Sequence, residues 1–235
     1  MNFDYTRRTQ FGGWEGWIEV DGQLTDLAPG ETVGSRDRSW GIRPVGERAP
    51  TGAPVADPQF FWLWAPINFD TFSTHFDVNE YFDGKRWHES GFVAPISDPT
   101  GSHPAEAMRA VDYDVTWRPG TRTAAAFDLV MTPWDGEPST IHLDPLFEFH
   151  MSGLGYLSPD WSHGVWKGEL AVGGERWDLP VDDPLAPDRI HVQSIVRATT
   201  SGGLGEHTGL GVLEQLAVGR HVPTGLEGIF DGFAG

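Results

Sequence analysis

The amino-acid sequence predicts an all-β, antiparallel fold, a barrel or closed sandwich. Apolar and polar residues alternate with a period of two over most of the chain, the pattern of half-buried strands. Gly-containing pairs suited to tight hairpins recur between the alternating runs. Gly (30) and Pro (18) supply a fifth of the 235 residues, against a usual combined share of about 12%, which excludes a helical bundle. Disorder is excluded too, because 39% hydrophobic residues and 11 Trp can bury enough apolar surface to offset ordering entropy.

Ten to twelve strand candidates follow in order. Asp21-Gly22, Asp83-Gly84, Asp135-Gly136 and Gly173-Gly174 each sit between strand-like runs, where a tight turn wants positive φ. Val111, Tyr113, Val115 and Trp117 alternate with Asp112, Asp114, Thr116 and Arg118, giving one apolar and one polar face. Arg118 to Thr121 reads as a turn, and Thr123, Ala125, Phe127, Leu129 and Met131 form the next inward face. A single short helical turn is expected around Pro104–Arg109. Residues 14–27 and 166–179 match without gaps at six positions (Trp, Gly, Val, Gly, Asp and Leu), which predicts a duplicated hairpin. The domain reading that follows is residues 1–45 as the last strands of an incomplete first unit, 46–58 as a Pro/Gly-rich linker and 59–235 as one full barrel unit.

Charge and composition narrow the function. Lys and Arg number 16 against 34 Asp and Glu, a net charge of −18, and no basic run is present. Such a chain is repelled by nucleic acid and by anionic membrane surfaces, so neither is expected as a partner. No Cys occurs, which removes disulfides and thiolate chemistry and fits a reducing, cytoplasmic location. No signal peptide and no apolar run of membrane-spanning length is evident. P-loop, Gly-x-Ser-x-Gly, dinucleotide and His-Glu-x-x-His signatures are missing, so neither cofactor nor metal is expected.

Four stretches carry a family resemblance: Ser35 to Glu47, with Arg-Asp-Arg-Ser-Trp-Gly at its centre, Phe60 to Phe69, Gly155 to Gly168, and Gly211 to Gly219. They resemble a bacterial group of mostly uncharacterised proteins similar to the hydroxyneurosporene synthase (carotenoid hydratase) and AttH-like family. The resemblance implies tandem lipocalin-like β-barrel units around an apolar cavity. It also implies cofactor-free hydration or cyclisation of isoprenoid-type substrates. Relatives carry a full first barrel ahead of the Arg-Asp-Arg motif, so this chain is expected to be N-terminally shortened, and no catalytic residue carries over.

Candidate chemistry comes from the residues themselves. His75, Asp77 and Asn79 share one strand face, with Phe76 and Val78 on the other. His and Asp at this spacing stand about 7 Å apart along the strand, within reach of one substrate or water. Lining a barrel lumen, they would deliver a proton; on a wet outer face, they would only flank the core residues Phe76 and Val78. Asp37 lies between Arg36 and Arg38, beside Trp40, either anchoring an anionic ligand or forming a structural ion pair. Glu214 shares a face with Val212, Leu216 and Val218, and desolvation should raise its pKa unless Arg36 or Arg38 answers it. Tyr156, Asp160, Trp161 and His163 crowd one turn, and His142 with Asp144 repeats the His-x-Asp spacing.

The expected function is a cofactor-independent hydratase, cyclase or isomerase acting on a hydrophobic, polyunsaturated small molecule. His75, Asp77, Asp37 and Glu214 are the candidate catalytic groups. Trp40, Trp62, Trp64, Asn79, Tyr156, Trp161 and His163 are the candidate ligand contacts, with aromatic faces stabilising a developing carbocation. The alternatives are a non-catalytic lipocalin-like carrier of an apolar metabolite, and a partial barrel completed by oligomerisation, for instance as a homodimer.

Overall fold

The computed structural model describes residues 4–28, 30–42, 52, 57–96, 104–151, 161, 165–174, 176–180 and 182–233. Nine strands form one antiparallel sheet: β5 (Phe60–Asn68), β6 (Phe72–Glu80), β7 (Arg86–Pro95), β8 (Glu106–Ala107), β9 (Ala110–Trp117), β10 (Ala124–Thr132), β11 (Ser139–His150), β12 (His191–Gly202) and β13 (Thr208–Val218). Each pairs with its neighbour in sequence, and β13 pairs back with β5. The one join without a ladder lies between β8 and β9, which are covalently almost continuous. There Met108 N–H donates to the Gly91 carbonyl and Arg109 N–H to the Thr132 carbonyl, both at 2.8 Å. Counted with β8–β9 as one bent strand, the sheet curls round into a barrel whose β7–β9 seam carries no ladder of its own.

Two side-chain devices secure the β7–β9 seam. A Cβ on Gly91 would run into Val111, so glycine lets the two strands approach. Arg86 then spans them, donating to the Val111 carbonyl at 2.6 Å and to Asp112 Oδ1 at 2.9 Å. The expected helical turn at Pro104–Arg109 is instead the strand β8, because the open edge of β7 takes those backbone groups. Among the described residues the helical structure is a 3₁₀ turn, Val222–Thr224.

The barrel interior is a packed core, not the expected apolar cavity. Phe61, Leu63, Ala65 and Ile67 of β5 meet Phe76 and Val78 of β6, with Phe127, Leu129, Ile141 and Leu143 opposite. Tyr113 stacks on Phe127 with ring centroids 5.7 Å apart. Alternation along β9 and β10 holds as expected except at Ala125, which a register irregularity between Ala124 and Ala126 turns outward. Buried Glu80 lies on this inner side, accepting from Tyr113 Oη at 2.9 Å and bonded to His221 Nε2 at 3.1 Å.

The remaining strands lie outside the barrel. β1 (Asp4–Gly13) pairs with β4 (Val33–Ile42) as a two-stranded ribbon, and β2 (Gly16–Val20) pairs with β3 (Gln23–Leu27) as a hairpin. The hairpin turns through Asp21 (φ 52°) and Gly22 (φ 78°), the paired positive φ of a type I′ turn. The matching segment departs from its echo, since the described part of residues 166–179 carries no strand. Gly173 and Lys167 pack against Trp161, and Arg176 forms an ion pair with Asp21 of the hairpin. Most of the 46–58 stretch lies outside the described residues. No described helix is long and apolar enough to cross a membrane.

Arg122 ties the C-terminal segment to the barrel. Fully buried, it donates to the carbonyls of Ala217 and Asp231 at 2.7 and 2.6 Å and to Asp231 Oδ1 at 2.6 Å. Arg122→Met would leave four acceptors, the Gly228 carbonyl at 3.2 Å included, without their donor. Because the Asp231 side chain is 40% exposed, the loss comes chiefly from the stranded carbonyls and is about 1–3 kcal/mol, read as a lower urea midpoint; an unchanged midpoint would refute the role assigned to Arg122.

Candidate functional site

β6 is buried along its whole length, which a strand with one wet face cannot be. Its even-numbered residues point into the core. Ser73, His75, Asp77 and Asn79 point outward, and the β1–β4 ribbon roofs them. Arg7, Thr9 and Phe11 of β1 face inward, half-buried, and the Arg7 guanidinium sits 4.9 Å from the centre of the Trp62 ring. The His-x-Asp row therefore lines neither a lumen nor open solvent. It forms the floor of a cleft between the outer wall of the barrel and the ribbon.

That cleft has a volume of about 530 Å³, with Arg7, Trp62, His75, Asp77, His88 and Phe92 among its lining residues. It shares Phe11, Ala94 and Ala105 with a larger hollow of about 990 Å³ that reaches Asn68 and Arg197. Asp77 is the centre of the polar floor. Its Oδ2 lies 3.5 Å from His75 Nε2, and its Oδ1 lies 3.2 Å from His88 Nε2. Burial pushes the Asp77 carboxyl up, but hydrogen bonds from His75 and His88 and their charge outweigh it and hold the pKa well below the usual carboxylate range. The same contact raises the His88 pKa, against the smaller effect of desolvation. The His75 ring stands between Trp64, edge-on at 6.3 Å, and Phe92 at 6.0 Å. His75 Nδ1 and Trp64 Nε1 are buried with no hydrogen-bond partner among the described residues.

The other expected site residues are distributed unevenly. Trp62 and Asn79 line the cleft, and the Asn79 amide also donates to the Phe61 carbonyl at 3.3 Å. Trp64 lies between Asp77 and Glu214 in the strand register. Glu214 is answered by His191 at 2.8 Å and by Gln193 at 3.4 Å, not by Arg36 or Arg38 as expected, because β12 is its ladder neighbour and the ribbon arginines point the other way. Asp37 faces the barrel and pairs with Arg7 at 3.4 Å. Trp40 is excluded from the cleft: it lies half exposed on the far side of the ribbon, in a separate hollow of about 400 Å³ with Arg8, Gln10, Arg36 and Arg38. Trp161 does not line the cleft; Tyr156, Asp160 and His163 lie outside the described residues. His142 contacts Asp128 at 2.7 Å and Asp144 at 3.1 Å on a different part of the barrel wall. Among the described residues no group of three or more His, Asp or Glu could hold a metal.

Sequence reasoning missed His88 and Arg7. The Asp83-Gly84 turn fixes the β6–β7 register, but Trp87 is an extra residue opposite the Asn79–Glu80 step. Such a bulge shifts the alternation and re-aims the side chains beside it. Arg7 was hidden because pairing of β1 with β4 across residues 14–32 has no local signal.

A family model matches residues 1–227. The chain belongs to DUF8625, a family of unknown function. No curated protein matches it. Among solved structures it is similar to the crystal structure of kievitone hydratase from Nectria haematococca, at 11% identity and a TM-score of 0.46. That match covers 86% of this chain and 49% of the hydratase chain, so the DUF8625 protein spans about half its length.

The floor makes a titration testable. Because the folded His88 pKa is raised above its ordinary 6.5, its contact with Asp77 stabilises the fold fully below that value and is lost as pH rises through the folded pKa. An NMR titration should place the His88 midpoint above 6.5, and Asp77→Asn should bring it to 6.5 or lower. An unmoved midpoint would remove Asp77 as the cause.

Proposed function

We propose that this protein is a cofactor-independent enzyme that moves a proton on a hydrophobic small molecule, a hydratase, cyclase or isomerase by reaction type. One observation carries the proposal: a single buried carboxylate, Asp77, holds two imidazoles in a cleft bordered by aromatic rings. His88, whose pKa the Asp77 contact raises, is the donor. Asp77 is a positioning residue. A carboxyl held so far below its usual range has no proton to give, so within the His75–Asp77 pair expected from the sequence the imidazole carries the transfer. His75, oriented through Nε2, accepts or returns the second proton, while Trp62 and Phe92 hold the apolar body of the substrate. The resemblance to the carotenoid hydratase and AttH-like group supports the same reaction class, with isoprenoid or polyunsaturated molecules as substrates.

In the non-catalytic alternative, a carrier would hold its apolar ligand in the same cleft without converting it. Native mass spectrometry of protein from its own host would identify a co-purifying molecule for turnover assays. His75→Ala and His88→Ala should each lower turnover by about 10²-fold or more, the usual contribution of a positioned acid or base, with affinity nearly unchanged. A molecule that binds and is never converted would establish a carrier, and unchanged turnover in both variants would remove the two imidazoles from the reaction.

A further inference from the structure

We infer that the ligand of the cleft carries a carbonyl or other oxygen on which negative charge develops between Arg7 and the His75–Asp77–His88 floor, and that it is not an unactivated alkene reacting through a carbocation. This rests on the cleft being the proton-transfer site. Aromatic walls stabilise a cation only when their faces are open to it. The Arg7 guanidinium already stands over Trp62, 4.9 Å from the ring centre, and Asp37 braces it from the neighbouring strand at 3.4 Å. A carbocation in the cleft would meet that fixed positive charge.

The balance of charge points the same way. The chain has more than twice as many acidic as basic residues, whereas around the cleft Arg7 and the imidazoles of His75 and His88 stand against Asp77 and Asp37. Asp77 is already engaged by two imidazoles. His88, which can itself carry charge, stands on the wall opposite the ribbon. An oxygen between guanidinium and imidazolium gains from both, and more as it becomes anionic, since charge-assisted hydrogen bonds are about twice as strong as neutral ones.

The chemistry such a site serves is proton transfer next to a carbonyl. His75 takes a proton from the carbon beside the carbonyl. The C–H electron pair becomes a C–C π bond, and the carbonyl π pair moves onto oxygen, facing Arg7. Return of a proton to a different carbon completes an isomerisation, with atoms and oxidation state conserved and no co-reactant needed.

Three nitroaromatic probes of similar size test this: 4-nitrophenol, neutral nitrobenzene and cationic 4-nitrobenzylammonium. Bound 4-nitrophenol should be more ionised than the free phenol at the same pH, read from its visible absorbance. The ammonium should bind at least about tenfold more weakly than the phenolate, and a shift of the His88 ring resonance would place each probe in the cleft. Arg7→Met should abolish the preference for the anion while nitrobenzene still binds; Arg7→Lys should keep much of it. Equal or tighter binding of the ammonium would overturn the charge assignment and leave the proton-transfer site standing. Failure of all three, nitrobenzene included, would remove the cleft as a binding site and both proposals with it.

Discussion

A closed sheet has an inside and an outside, and in this molecule β5 and β6 are buried on both. Inward side chains make the apolar core, and outward ones meet the β1–β4 ribbon. Any polar group on the outer face of β6 must therefore find partners within the protein, because leaving it unpaired would cost roughly 1–3 kcal/mol or more. That requirement organises the site. Asp77 is satisfied by His75 on its own strand and His88 on the next, and these contacts hold both rings at the cleft.

The same solution appears on the opposite side of the strand. Glu80, three residues further along β6, points inward, and its carboxyl is bonded to His221 and Tyr113 with Arg86 nearby. Burial raises its pKa, but these contacts outweigh it and hold the group below its ordinary value. The inner cluster fastens the 3₁₀ turn and the β7–β9 seam to the barrel. The outer one faces space a ligand can fill. Similar electrostatics fasten elements together on one face and line a cleft on the other; the difference lies in what covers each face.

Much of the barrel was legible because alternation reports faces directly. Val111 to Trp117 became β9 with the expected apolar side inward, and His75, Asp77 and Asn79 do share a face. Alternation cannot say which face is roofed, and the run without a polar side chain from Phe60 to Ile67 was the available sign that both are. Partners set by register stayed hidden. Glu214 meets His191 only because β12 lies beside β13, and His88 reaches Asp77 across a bulge. At Pro104–Arg109 the demand of the β7 edge overrode local preference. Residues 166–179 have the composition of a hairpin, yet their described part carries no strand.

The division between wall and roof also bears on how the protein could acquire new ligands. The barrel core is built from inward side chains, whereas Arg7, Thr9 and Phe11 belong to a ribbon outside it. Substitutions in that ribbon change the shape and charge above Asp77 without opening a cavity among Phe76, Phe127 and Leu129. The polar floor and the ribbon above it can therefore change separately, the ceiling of the cleft being rewritten while the core is held constant.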